Sequence, residues 1–202
     1  MITLLVARHG NTFDPGDTIL RVGKQTDFPL SKSGCEQAKK LGVFLKEKYT
    51  MIDHVMVSQL QRTQQTAHLA LPDIQCEINS FLDEIDYGVD DGKPEFQVVE
   101  RLGETALKAW EENAVPPEGW KVQPENIIQG WQRLAQQCVN DYSEQQTNTT
   151  ILIVTSNGIA RFAPSIVDEQ MVSSHKMKTG AVSAFQFTQD KRWLLDYWNL
   201  SV

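Results

Sequence analysis

The amino-acid sequence predicts an α/β protein, built as a doubly wound, mostly parallel β-sheet flanked by helices. Three short segments rich in branched apolar residues are typical of strands buried on both faces, and they cover residues 2–7, 52–57 and 151–155. Helical spacing of apolar residues follows the first and the second of these segments. Strands that alternate with helices favour right-handed βαβ units and therefore a parallel sheet.

The remaining elements follow in chain order. In the first helix, Ala38, Leu41 and Leu45 recur at helical spacing after Ser31 or Ser33, either of which can cap its N-terminus. Helices are expected over residues 31–49, 59–71, 95–113 and 125–142, and an antiparallel strand pair over residues 181–187 and 193–198. At 202 residues we expect a single domain over 1–202, with residues 93–146 as a helical insertion that covers a site.

Charge and cysteine content exclude several classes of protein. Lysine and arginine number 19 against 26 acidic residues, a net charge of −7, and without a long basic run this argues against nucleic-acid binding. The three cysteines are widely spaced, so neither a disulfide framework nor a metal site is expected. No apolar run approaches the ~20 residues of a membrane span, and no signal-peptide pattern is present. We therefore expect a cytoplasmic protein without a membrane partner and without a cofactor, since no nucleotide-binding glycine pattern follows a strand.

Polar residues cluster where three predicted strands end. Arg8 and His9 follow the first strand, Arg62 follows the second, and Asn157 follows the third. Ligands of open α/β sheets bind at the carboxyl ends of the strands, so these residues are expected to share a site. Each is ambiguous alone, because His9 could be a structural histidine and Arg62 a solvated surface charge.

The motifs around these residues resemble the histidine phosphatase superfamily, also called phosphoglycerate-mutase-like. The family's R-H-G-x-T pattern matches residues 8–12, and its S-x-L-x-R-T-x-Q-T-A block matches residues 58–67. Its L-x-E-x-x-x-G-x-x-x-G block is similar to residues 82–92. A further block of the family consists of a glycine, then D-x-P-L, then G-x-x-Q-A, and it is similar to residue 23, residues 27–30 and residues 34–38 in turn. The blocks occur in the family's order over most of the chain.

The resemblance implies a role for each matched residue. His9 would be the nucleophile that becomes phosphorylated, and Glu84 would be the general acid and then the general base. The phosphate-binding residues would be Arg8, Asn11, Thr12, Arg62 and Asn157. The assignment of Glu84 stays open at this point, because four neighbouring carboxylates occupy the same stretch, namely Asp83, Asp86, Asp90 and Asp91.

Two positions depart from the family's pattern. The family's second pocket histidine is Asn157 here, and a frequent asparagine six places after the nucleophile is Pro15. A neutral amide forms weaker hydrogen bonds to phosphate than a histidinium, so the loss is expected to cost about 2–4 kcal/mol of transition-state stabilisation.

These residues favour a phosphatase that hydrolyses a small phosphorylated substrate through phospho-His9. One alternative is a degenerate member that binds a phosphorylated ligand or a protein partner. Another is mutase-type phosphoryl transfer, which the short chain disfavours because the family's mutases carry larger insertions. The sequence leaves homodimer formation open.

Overall fold

The computed structural model describes residues 1–143, 148–167 and 175–202. In this part of the chain the strands are β1 Ile2–Arg8, β2 His54–Val57, β3 Cys76–Ile78, β4 Thr149–Thr155, β5 Val182–Phe187 and β6 Trp193–Leu200. The α-helices are α1 Lys32–Lys48, α2 Gln61–Ala70, α3 Glu95–Asn113, α4 Pro124–Tyr142 and α5 Asn157–Ala160. None of the helices in these residues is long and apolar enough to cross a membrane.

The strands form one mixed sheet in the order β3-β2-β4-β1-β5-β6. The first four strands of this order are mutually parallel, and β5 and β6 add an antiparallel edge. The predicted α/β class with a mostly parallel sheet is therefore confirmed, and so is the C-terminal antiparallel pair. Strand β3 was missed, because its three residues are too few to show a periodicity.

The carboxyl ends of the three predicted parallel strands lie side by side. Arg8 at the end of β1 pairs with Thr155 at the end of β4, and Val57 at the end of β2 pairs with Val154. The polar residues that follow each strand therefore emerge at one edge of the sheet.

Apolar clusters cover both faces of the sheet, because successive strand residues point to opposite sides. On one face Leu4, Val6 and Ile153 pack with Trp131 and Leu134 of α4. The other face has a separate cluster, which includes Leu5, Ala7, Leu41, Leu45, Leu152 and Val154. This two-sided burial explains why the strand segments read as continuous apolar runs.

Helix α1 begins as predicted at Ser31. The Ser31 hydroxyl accepts a hydrogen bond from the Gly34 backbone amide at 3.2 Å, which satisfies one of the free donors at the helix start. Helix α2 packs against α1 at Gly42, where a Cβ would lie 2.4 Å from the carbonyl oxygen of Ala70.

The predicted insertion, residues 93–146, contains helices α3 and α4, and its last residues, 144–146, lie outside the described residues. Helix α4 belongs to the body of the fold, since Trp131 is fully buried and donates to the carbonyl of Ile159 at 2.9 Å. Helix α3 buries only Val98 and Trp110, and it is interrupted at Gly103 (φ 77°). The two helices therefore differ, and α3 is the one that reaches the site.

Candidate active site

A cavity of about 340 Å³ opens at the carboxyl ends of β1 and β4. Six of the seven residues predicted for the site line it, namely Arg8, His9, Asn11, Thr12, Glu84 and Asn157. The seventh, Arg62, is fully buried and is not part of the lining. Residues from the ends of β1 and β4 and from the loop at Glu84 thus meet in one cavity, whereas Arg62, which follows β2, does not line it.

His9 is held in one tautomer at the bottom of the cavity. Its Nδ1–H donates to its neighbour's carbonyl, that of Gly10, at 2.7 Å, which leaves Nε2 without a proton. Burial lowers the pKa of His9 well below its usual value, and the positive charges of Arg62 and Arg8 add to this effect. The imidazole is therefore neutral near neutral pH, with a lone pair on Nε2.

Two arginines bring positive charge to His9. Arg8 donates from Nη1 to the carbonyl of Met177 at 2.6 Å, and its buried Nε–H has no partner among the described residues. Arg62, near the start of α2, donates to the carbonyls of Thr26 at 2.9 Å and Gly23 at 3.2 Å. These bonds orient both guanidinium groups without neutralising them, which leaves their charge for an anion.

Glu84 is distinguished from its neighbours by what surrounds it. It lines the cavity and is 5% exposed, and its Oε1 accepts from the Ile85 amide at 2.9 Å. Burial raises the pKa of Glu84 above its ordinary value, although the charge of Arg62 opposes the shift. The backbone of Gly158 lies close to the Glu84 carboxyl, because a Cβ at Gly158 would lie 2.1 Å from Oε1 of Glu84.

The neighbouring carboxylates are committed to other partners. Asp83 accepts from both the backbone and the side chain of Gln59, at 2.9 and 3.0 Å. The other three bind elsewhere in the same way: Asp86 to Gln25 and Gly88, Asp90 to Arg101 and Trp120, and Asp91 to Gly23, Gln25 and Thr26. The structure thus leaves Glu84 as the acidic residue of this stretch in the cavity.

Asn157 is oriented by the segment that follows. Its Oδ1 accepts from the Met177 backbone amide at 2.9 Å, which fixes the amide orientation, because a backbone N–H can only donate. The Nδ2 group is then the side of the amide left to the cavity. Asn157 therefore offers a neutral donor beside His9.

Asn11 lies at the cavity wall with both ends of its amide already bonded. Its Nδ2 donates to Ser33 at 3.0 Å, and its Oδ1 accepts from the Thr179 hydroxyl. Thr12 lines the cavity beside it. The structure therefore gives Asn11 a part in building the wall, in addition to its predicted contact with phosphate.

The family model described as histidine phosphatase superfamily (branch 1) matches residues 4–201. The chain belongs to the histidine phosphatase superfamily. Among curated relatives it is 41% identical over 98 residues to fructose-2,6-bisphosphatase TIGAR of Bos taurus, covering 45% of this chain and 35% of that protein. It is 34% identical over 115 residues to a 2,3-bisphosphoglycerate-dependent phosphoglycerate mutase of Tropheryma whipplei, covering 54% and 51%. The matched stretches thus span about a third to a half of these relatives.

Solved structures of other proteins share the whole fold. A mycobacterial glucosyl-3-phosphoglycerate phosphatase superimposes with a TM-score of 0.80 at 19% identity, covering 98% of this chain and 99% of that one. The alpha-ribazole phosphatase of Shigella flexneri gives a TM-score of 0.69 at 24% identity, covering 98% and 96%. At such identities the likeness concerns the fold, and it confirms the phosphoglycerate-mutase-like architecture.

Several cavity residues of this superfamily member were missed from the sequence. They include a tyrosine, a threonine, two basic residues and two carboxylates: Tyr87, Thr179, Arg21, Lys176, Glu95 and Glu111. They lie on loops and on α3, away from the carboxyl ends of strands, and Tyr87 is the member that falls within a motif, at a variable position of the block at residues 82–92. Sequence spacing does not reveal their contacts either, because each of these residues is far along the chain from the residue that it contacts.

No group of three or more histidine, cysteine, aspartate or glutamate residues that could hold a metal ion occurs in the described ranges. The cavity instead gathers positive charge from arginines around a neutral histidine. This arrangement suits an anion that binds directly to protein groups.

Proposed function

We propose that this protein is a phosphatase that hydrolyses a small phosphate monoester through a phosphohistidine on His9. The observation that carries the proposal is the setting of the His9 ring: it is buried, its Nδ1–H is bound to the Gly10 carbonyl, and the positive charges of Arg62 and Arg8 act on it. A histidine kept only for packing has no need of an unprotonated Nε2 in an open cavity. Such a nitrogen is suited to attack on phosphorus.

In the first step Nε2 of His9 bonds to phosphorus while the ester P–O bond breaks. The carboxyl of Glu84 gives its proton to the departing oxygen, and its raised pKa keeps that proton available. The alcohol then leaves, and the phosphoryl group stays on the imidazole. One difficult displacement is thus divided into two easier ones.

In the second step the Glu84 carboxylate takes a proton from water as the water oxygen bonds to phosphorus. The N–P bond breaks, and the electron pair returns to Nε2, so that His9 is again neutral. Orthophosphate departs, and Glu84 is again protonated. The enzyme thus returns to its starting state without a cofactor.

Charge that spreads over the phosphoryl oxygens is met by preorganised donors. Arg8 lines the cavity, and both Arg8 and Arg62 act on His9 through their positive charge. Asn157 and Thr12 belong to the same lining. Donors fixed before the reaction stabilise the transition state without reorganisation.

A second candidate is a protein that binds a phosphorylated ligand with little or no turnover. Asn157 favours it, since a neutral amide stands where the sequence pattern leads us to expect a histidine. Retention of both a nucleophile and a buried acid favours the enzyme, because binding alone requires neither His9 nor a carboxyl group at Glu84.

The test is a phosphate-release screen across sugar, acid and nucleotide monoesters without added metal, with His9→Ala beside the wild type. We expect turnover of at least one ester by the wild type and none by the variant, with equal melting temperatures. Glu100→Gln, at an exposed position of α3, is the control and should match the wild type. Turnover by His9→Ala at the wild-type rate would overturn the proposal, and binding without turnover would support the second candidate.

A further inference from the structure

The cavity has a closed inner end and an open outer end of different charge character. His9 and Glu84 are each 5% exposed, whereas the side chains of Glu95 and Glu111 are 37% and 52% exposed. If a phosphoryl group occupies the inner end beside His9, the rest of the substrate extends past these two carboxylates. Their chemistry therefore bears on which phosphate ester fits.

Arg21 lies in the outer half, and its charge is already matched. Its guanidinium forms an ion pair with Glu95. Its central carbon also lies 5.3 Å from the ring centre of Tyr87 and 5.2 Å from that of Trp120. The carboxylate and the two aromatic rings hold the guanidinium in place, and its buried Nε–H has no partner among the described residues.

The second outer pair joins α3 to the segment before β5. Nζ of Lys176 lies 2.6 Å from Oε1 of Glu111. The backbone of Glu111 is held by the buried Arg161. Its Nη2 donates to the carbonyl of Glu111 at 2.6 Å and to that of Trp110 at 2.7 Å. The Glu111 carboxylate is therefore held at the rim by a fixed backbone.

We propose that these two pairs select a phosphate monoester whose remaining part is uncharged and carries hydroxyl groups, such as a sugar or polyol monophosphate. The inference rests on the proposed function and assigns its substrate class. The lining basic side chains of the outer half, among the described residues, are Arg21 and Lys176, and each faces a carboxylate. A second phosphate or carboxylate would lie beside Glu95 and Glu111, and like charges so placed repel.

Hydroxyl groups meet no such penalty. A carboxylate oxygen accepts a hydrogen bond from a hydroxyl even while it is paired with a cation, because each carboxylate has about four lone-pair sites. The apolar wall formed by Leu20, Val22 and Trp110 can cover the carbon skeleton. The outer half thus offers acceptors and apolar surface, which fit a polyhydroxy chain or ring.

The test compares substrates that differ only in the outer group. Glucitol 6-phosphate is compared with 6-phosphogluconate, and glycerol 3-phosphate with 3-phosphoglycerate; in the second member of each pair a carboxylate replaces a neutral hydroxymethyl group. Dissociation constants are measured by calorimetry on His9→Ala, which binds without turnover. We expect the neutral member of each pair to bind about tenfold more tightly at low salt, and the preference to shrink at high salt because rim charges are screened.

Glu111→Gln identifies the residue responsible. We expect this variant to reduce the ratio of the two dissociation constants in each pair roughly three- to tenfold, because the Glu111 carboxylate no longer repels the carboxylate of the ligand. Glu112→Gln is the matched control, since Glu112 is the next residue, is similarly exposed, pairs with Lys108 at 3.7 Å and does not line the cavity. Its preference should equal that of the parent protein.

Equal or tighter binding of the carboxylate members would overturn the inference, and so would equal effects of the two glutamine variants. The selectivity and the proposed phosphatase activity can fail independently of each other. A wild type that shows the neutral preference but turns over no ester refutes the phosphatase and keeps the selectivity. A wild type that hydrolyses the carboxylate members best keeps the phosphatase and refutes the selectivity.

Discussion

Glu84→Gln isolates the proton that the proposed mechanism places on one buried carboxyl. The glutamine carbonyl can still accept the Ile85 amide bond of 2.9 Å, so the fold should be unchanged. What is lost is the proton for the departing oxygen. General acid catalysis is worth about 10²–10⁴ in rate, so we expect a loss of that size with an alkyl phosphate. With 4-nitrophenyl phosphate, whose phenolate leaves without a proton, the loss of kcat/KM should be much smaller, whereas kcat should still fall because Glu84 is also the base of the second step.

The pH profile of kcat/KM makes the same change visible without a rate comparison. As pH rises through the raised pKa of Glu84 the acid loses its proton, which produces the basic limb of the profile. As pH falls through the lowered pKa of His9 the nucleophile is protonated, which produces the acid limb. Activity should therefore be greatest between the pKa values of the two groups, and Glu84→Gln should remove the basic limb alone.

Asp83→Asn is the control for this experiment, because Asp83 is as buried as Glu84 but is bonded to Gln59. It should lower the melting temperature and keep the basic limb. An unchanged basic limb in Glu84→Gln, or an equal loss of kcat/KM with both substrates, would refute the assignment of Glu84 as the acid.

Three further substitutions test other parts of the site. Arg62→Ala should raise the inhibition constant of vanadate at least tenfold, because its charge acts on bound anions; equal inhibition would place it outside the site. Asn157→His should raise kcat about tenfold to a thousandfold and most strongly at low pH, since a histidinium supplies a charged donor where the asparagine supplies a neutral one; no gain would remove Asn157 from the phosphate contacts. Gly158→Ala should lower kcat at least tenfold, because its Cβ would lie 2.1 Å from Oε1 of Glu84 and 2.9 Å from Cγ1 of Ile85 and would displace both; wild-type kcat would show that these contacts are unimportant.

The parts of the fold that were predictable are those in which local pattern and tertiary burial agree. Residues 2–7 read as a buried strand because β1 is covered on both faces, and Ser31 marks the start of α1 because its hydroxyl caps it. Helix α3 has the predicted bounds, although Gly103 interrupts it, since its amphipathic pattern continues on both sides.

The site was predictable only where its residues lie in contiguous motifs. His9 and its neighbours stand in one such motif, and Gly10 within it is required because a Cβ would lie 2.3 Å from the carbonyl oxygen of Gly34. Arg21 and Glu111 carry no local signal, because their roles arise from contacts with residues far along the chain. Choosing Glu84 over Asp83 likewise depends on which carboxylate has other hydrogen-bond partners, a property that only the folded chain determines.

In the proposed mechanism His9 itself carries the phosphoryl group between the two steps. The direct measurement is rapid quenching of the wild type with a ³²P-labelled substrate, followed by assay for acid-labile, base-stable phosphate and by mapping of the labelled peptide. We predict label on the peptide that contains His9, up to one phosphoryl group per chain, and none in His9→Ala. Steady turnover with no labelled protein at any quench time, or label on a residue other than His9, would contradict the claim.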